Sequence, residues 1–153
     1  MFKNSWLAIV SGTLFLLAMP GSAQSVTAKQ TSPHRLVLQV DTEDAQTMNL
    51  ALNNAMSAKR FYDAQGQQVV IEIVAYGPGI TMLRSDTSPV MDHIKEVKAN
   101  IPSLTLSMCG NSKAGAEKRE GHEIVPLEGV KVVPAGIVRI MELQEQGYSY
   151  ARP

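Results

Sequence analysis

The sequence predicts an α/β protein, a mainly parallel sheet with helices packed on its faces. Three observations predict it. Short apolar runs and helical stretches alternate four times between residues 35 and 146, the order that a parallel sheet with crossover helices requires. The run VVIEIVAY, Val69 to Tyr76, is apolar almost throughout, as a strand buried on both faces is. Ala45, Met48, Leu52, Ala55 and Met56 recur at spacings of three and four, which lays one apolar stripe along a helix.

The elements follow in order. RLVLQV, Arg35 to Val40, is a short β-type run. Asp41-Thr42-Glu43-Asp44 follows, with side-chain oxygens suited to accept from the free N–H groups of a helix start. That helix runs to about Gln65, and Gly66 ends it. Val69 to Tyr76 is the second strand. Val90 to Ala99 predicts a shorter helix, and LTLSM, Leu104 to Met108, the third strand. Asn111 to about Glu120 is polar and reads as a short helix. Val130 to Val133 is the fourth strand. Pro134 suits the first turn of a last helix, where its missing N–H is not needed. That helix carries Ile137, Ile140 and Met141 and stops at Gly147.

The N-terminus reads differently. MFKNSWLAIVSGTLFLLAMPGSAQS has a basic start at Lys3, an apolar stretch from Trp6 to Met19, and small residues at Gly21-Ser22-Ala23. This is the pattern of a cleaved secretory signal, with the cut expected after Ala23. The apolar stretch is shorter than the ~20 residues that span a bilayer. No cysteine at the cut marks a lipoprotein, and no twin arginine precedes the apolar run. QSVTAKQTSP is polar and without periodicity. The expected organisation is a signal peptide at 1–23, a flexible tail at 24–33 and a folded domain at 34–153. The expected location is the periplasm of a Gram-negative bacterium.

Composition narrows the function. Hydrophobic residues make up 44% of the chain, enough for a packed core without disulfides. Basic and acidic residues balance at 14 each. No basic run offers a nucleic-acid surface or a polybasic membrane anchor. The three histidines are scattered, and a single cysteine cannot build a zinc site of the usual kind. Neither GxxxxGK[ST] nor GxSxG occurs. No metal and no organic cofactor is expected.

In a parallel α/β sheet, ligands and chemistry collect outside the carboxyl ends of the strands. Those ends here read Asp41-Thr42, Gly77-Pro78-Gly79, Cys109-Gly110-Asn111-Ser112 and Pro134-Ala135-Gly136. Gly77, Gly79, Gly110, Asn111 and Ser112 are therefore candidate binding residues. Gly77-Pro78-Gly79 also reads simply as a turn. Asn53, mid-helix beside the apolar stripe, reads either as an inward polar contact to a strand-end loop or as a solvent-facing residue.

Cys109, the only cysteine, is the candidate catalytic residue. The N–H groups opening the helix after it favour a thiolate, the form that attacks sulfur donors. That reading expects a sulfur at the rim, at least partly accessible. The alternative is an inert cysteine packed like a small apolar side chain.

RLVLQVDTEDAQTMNLALNNA, EIVAYGPGI, LTLSMCGNS and VVPAGIVRIMELQEQGYSYARP, taken in this order, resemble the DsrE/DsrF-like family over residues 34 to 153. The chain is most similar to an exported branch of that family with a single cysteine. The resemblance implies a three-layer fold with four to five strands, often assembled as trimers or hexamers. It also implies that Cys109 stands where sulfur-relay members carry a persulfide. Those members work in the cytoplasm with dedicated partners, whereas this chain carries an export signal. The expected function is thus periplasmic sulfur handling, with Cys109 accepting and passing sulfane sulfur like a sulfurtransferase-type carrier. The alternative is a non-catalytic oligomeric protein that binds a small ligand or partner loop in the same crevice. The expected partners are copies of the chain itself, a sulfur donor and a sulfur acceptor. Nucleic acid is not among them, nor a membrane once the signal is removed.

Overall fold

The structure is a computed structural model and describes residues 32–153. The expected signal peptide and nearly all of the expected tail lie outside the described residues. Five strands, β1 (His34–Val40), β2 (Val69–Ala75), β3 (Thr105–Cys109), β4 (Val130–Val133) and β5 (Ser149–Ala151), form one sheet. Their order is β4-β3-β2-β1-β5, and every neighbouring pair is parallel. Four α-helices connect them: α1 (Ala45–Asp63), α2 (Met91–Asn100), α3 (Gly110–Glu120) and α4 (Gly136–Glu145). A 3₁₀ segment, Gly77–Leu83, follows β2. This is the α/β architecture that the alternating pattern predicts.

The strand order explains the layers. The chain steps from β1 to β4 in one direction, then crosses back to place β5 beyond β1. Right-handed crossovers in opposite directions put their helices on opposite faces. On one face, Leu38 and Val40 of β1, Ile71 and Ile73 of β2, and Leu106 and Met108 of β3 join Met48 and Leu52 of α1 and Ile94 and Val97 of α2 in the main core. Ala116 of α3 belongs to the same cluster. On the other face, Val37 and Val74 meet Ile140 and Leu143 of α4, with Tyr76 and Tyr148 alongside. Each fully buried aliphatic side chain contributes about 1.5–3 kcal/mol, so most of the stability resides on the α1–α2 face.

The local signals act as their chemistry requires. Asp44 caps α1, its carboxylate accepting from the Thr47 N–H at 2.8 Å. Gly121 closes α3 with φ of +76°. One expectation needs correction. Pro134 precedes α4, which starts at Gly136 with Ala135 as its cap. The Pro134 carbonyl accepts from the Asn111 N–H at 3.2 Å instead, tying the turn before α4 to the start of α3. The fifth strand, β5, falls within the expected four to five.

Candidate functional site

β3 ends on Cys109, and α3 begins on the next residue. Cys109 is itself the cap of α3: its φ and ψ are extended, and its sulfur accepts from the Ser112 N–H at 3.4 Å. A thiol here occupies the place of the usual serine or aspartate oxygen. Alternation along β3 puts Cys109 on the same face as Ser107, the face that α4 covers.

The start of α4 therefore reaches the same sulfur. Gly136 packs against Cys109, and its N–H, the Asn111 N–H and the Ser112 side chain all favour the charged form of the thiol. Burial opposes ionisation of the thiol, but these donors outweigh it and hold Cys109 below its ordinary value. Two helix starts thus converge on one sulfur. The Ser112 oxygen also accepts from the Gly77 N–H at 2.8 Å.

The rim position expected for the thiol is only half correct. Cys109 lies at the strand end, yet the residue is 5% exposed. Gly136 is the reason: a Cβ there would lie 2.8 Å from the Tyr76 Cβ and 3.2 Å from the Cys109 Cβ. The absence of a side chain lets α4 close directly over the thiol.

On the far side of Ser112 is a cavity of about 480 Å³ between the 3₁₀ segment and α3. Gly77, Asn111 and Ser112 line it, together with Thr81, Arg84 and Arg119. Cys109 does not line it, and Ser112 stands between the two. Arg84, 6% exposed, closes the cavity's base with paired bonds to Asp86 at 2.7 and 2.9 Å and to Glu120 at 2.8 Å. The Arg84 guanidinium pulls the Asp86 carboxyl down to about 2.

Of the candidate binding residues, Gly77, Asn111 and Ser112 gather here, and Gly110 opens α3 against the Val133 carbonyl. Gly79 does not join them. It is buried where a Cβ would meet the Val40 oxygen at 2.2 Å, so its place is one of close backbone packing. Asn53 does not join them either. It is exposed in the middle of α1, away from the strand ends. The apolar stripe turns inward at Leu52 and Ala55, which rotates Asn53 to solvent.

Sequence reasoning placed Gly136 at a strand end without giving it a role, and it missed one ion pair. Glu72 of β2 accepts from Arg139 of α4 through both carboxylate oxygens at 2.8 Å, and from the Ser107 hydroxyl at 2.7 Å. The signal was present: a glutamate inside VVIEIVAY is out of place in a doubly buried strand and demands a partner. A second network closes the β1–β5 edge. Tyr150 donates to Gln39 at 2.6 Å, Gln39 donates to Asp41 at 3.0 Å, and Arg152 pairs with Asp41 at 3.0 Å. Among the described residues, no three histidine, cysteine, aspartate or glutamate side chains are grouped to hold a metal ion.

No family model and no curated protein matches the chain. A solved structure does. The chain is similar to a protein of unknown function, MTH1491, from Methanobacterium thermoautotrophicum. The two are 28% identical, with a TM-score of 0.63. The match covers 78% of this chain and 99% of the other. The α/β architecture is thus shared with a known structure, and the similarity assigns no chemistry.

Proposed function

We propose that this chain is a sulfur-handling protein of the DsrE/DsrF-like kind and that Cys109 carries sulfane sulfur. One observation carries the reading: the Cys109 sulfur caps α3, accepting from the Ser112 N–H, and α4 begins directly against it at Gly136. Such donors favour the thiolate, the species that attacks sulfur. In the step proposed, the Cys109 thiolate attacks the terminal sulfur of a donor persulfide. A new S–S bond forms at Cys109, and the donor's own S–S bond breaks. The departing thiolate takes that electron pair, so the exchange needs no outside oxidant. The donor must reach the sulfur past Ser112 or past the first turn of α4.

The sequence supports a periplasmic setting through residues 1–23. An oligomer is supported by the exposed Ile137, Val138 and Met141 of α4, with Val132 of β4, apolar surface of the kind that subunit contacts cover. We place the protein among homo-oligomers, trimeric or hexameric as in the family.

Intact-mass measurement after exposure to polysulfide or thiosulfate tests the reading. The wild-type protein gains one sulfur atom or more, reversibly by reductant, and Cys109→Ser gains none. Absence of any gain in the folded wild-type protein overturns it. A second reading then takes its place, favoured by the burial of Cys109 beside an open cavity: a binding protein that holds a small polar ligand between the 3₁₀ segment and α3.

A further inference from the structure

The ion pair between Glu72 and Arg139 has no part in the sulfur step, yet it lies on the route to it. Arg139 belongs to the first turn of α4, three residues after Gly136. Its guanidinium grips Glu72 through Nε and Nη2, both at 2.8 Å. The Glu72 side chain is 4% exposed. Ser107, two residues before Cys109 on the same strand face, holds the same carboxylate. The pair thus fastens the first turn of α4 to β2 and β3 directly beneath the thiol. Beyond the Asn111–Pro134 bond and the close packing of Gly136, little apolar burial fastens it. Ile137 and Val138 of the same turn are exposed, and the first buried apolar residue of α4 is Ile140.

We propose that Arg139 is the positioning residue of the Cys109 site: by pairing with Glu72 it holds the first turn of α4 so that Gly136 stays packed against Cys109 and the turn covers the sulfur. This rests on the reading of Cys109 as the reacting group. Releasing the pair has two effects that can be measured separately. The sulfur loses a donor, so it ionises at higher pH. The cover loosens, so the ionised sulfur is reached more often.

Charged and titratable groups on the elements around the thiol include Glu72 of β2 and Tyr76 just after it, Lys131 of β4, Lys113 and Glu117 of α3, and Arg139 and Glu142 of α4. Lys113 is tied to Glu117, and Arg139 binds Glu142 as well as Glu72. Burial and the neighbouring Asp41 hold Tyr76 above its ordinary value, which keeps its titration clear of the thiol's.

The rate of alkylation of the native protein, followed against pH, reads both effects, and the single cysteine makes the signal specific. In Arg139→Met the midpoint moves to higher pH and the plateau rate rises. Below the midpoint the rate falls about tenfold for each unit that the midpoint moves. Arg139→Lys, which keeps the charge and one bond, lies between the two. Arg139→Met leaves Glu72 buried without its partner and so risks unfolding. Glu72→Gln combined with Arg139→Met removes both charges and is expected to show the same shift. A folded double variant with the wild-type midpoint overturns the proposal. Persulfide loading is scored separately by mass. A wild-type protein that takes no sulfur, but whose thiol midpoint still follows Arg139, defeats the carrier reading and leaves the positioning role standing.

Discussion

Ser112 donates its backbone N–H to the Cys109 sulfur at 3.4 Å, and its side chain also favours the thiolate. One residue thereby satisfies the opening of α3 and polarises the thiol. The same hydroxyl oxygen takes the Gly77 N–H, which links the end of β2 to the end of β3. Ser112→Ala removes the hydroxyl from both of its roles and keeps the backbone N–H. The thiol midpoint is expected to rise, and stability to fall by about 1–3 kcal/mol because the Gly77 N–H loses its acceptor. Alkylation against pH and urea denaturation check the two parts.

Cys109→Ser is expected to fold well. A serine oxygen caps a helix at least as well as a sulfur does, and the donors around it stay satisfied. The expected change in stability is within about 1 kcal/mol, read by denaturant unfolding, with all sulfur loading lost. A loss of several kcal/mol would instead mark Cys109 as a packing residue.

Gly136→Ala tests the close approach of α4. The added Cβ meets the Tyr76 Cβ at 2.8 Å, a contact with no flexible end to give way. The expected cost is about 1–3 kcal/mol, as for overpacking elsewhere, and the first turn of α4 shifts off the sulfur. Thermal unfolding reads the first effect and alkylation rate the second.

Acid should weaken the hold on α4. Burial pushes the Glu72 carboxyl up, but its bonds from Arg139 and Ser107 win and hold it below the ordinary glutamate value. A carboxyl lowered by folding contributes stability above the unfolded value of about 4.3. That contribution is lost as pH falls through the lower, folded value. Glu72→Gln is therefore less stable than wild type at pH 7, and the gap narrows below about pH 4. Urea unfolding at several pH values measures it.

The oligomer has its own test. Light scattering at tens of micromolar, an order-of-magnitude range well above a Kd near 1 μM, is expected to give a mass above that of the monomer. Val138→Glu, at an exposed apolar position, is expected to reduce it. A monomer throughout that range removes the oligomer from the proposed function.

Much of the fold was legible because its signals are local. The alternation of Leu38, Val40, Ile71 and Ile73 with their helical partners is written in short windows, and so are the cap at Asp44 and the stops at Gly66 and Gly147. β5 was less legible because Ser149–Ala151 is three residues long, too short for a period to register. The 3₁₀ segment read as a turn because Gly77-Pro78-Gly79 is turn chemistry in either case. At the site, Asn111 and Ser112 were legible from their place after a strand. The burial of Cys109 was not, because it depends on Gly136, which arrives from the other face of the sheet. Nor was the partner of Glu72, since Arg139 lies 67 positions away in the chain.

The sheet is thick on one side and thin on the other. α4 alone covers the thin side, resting its Ile140 and Leu143 on Val37 and Val74, while the larger cluster lies on the side of the other helices. Partial unfolding that lifts α4 leaves the larger cluster closed, so it costs less free energy than opening the molecule. Amide protons of α4 are therefore expected to exchange with solvent deuterium well before those of α1. The helix that shelters the sulfur is the first to let it breathe.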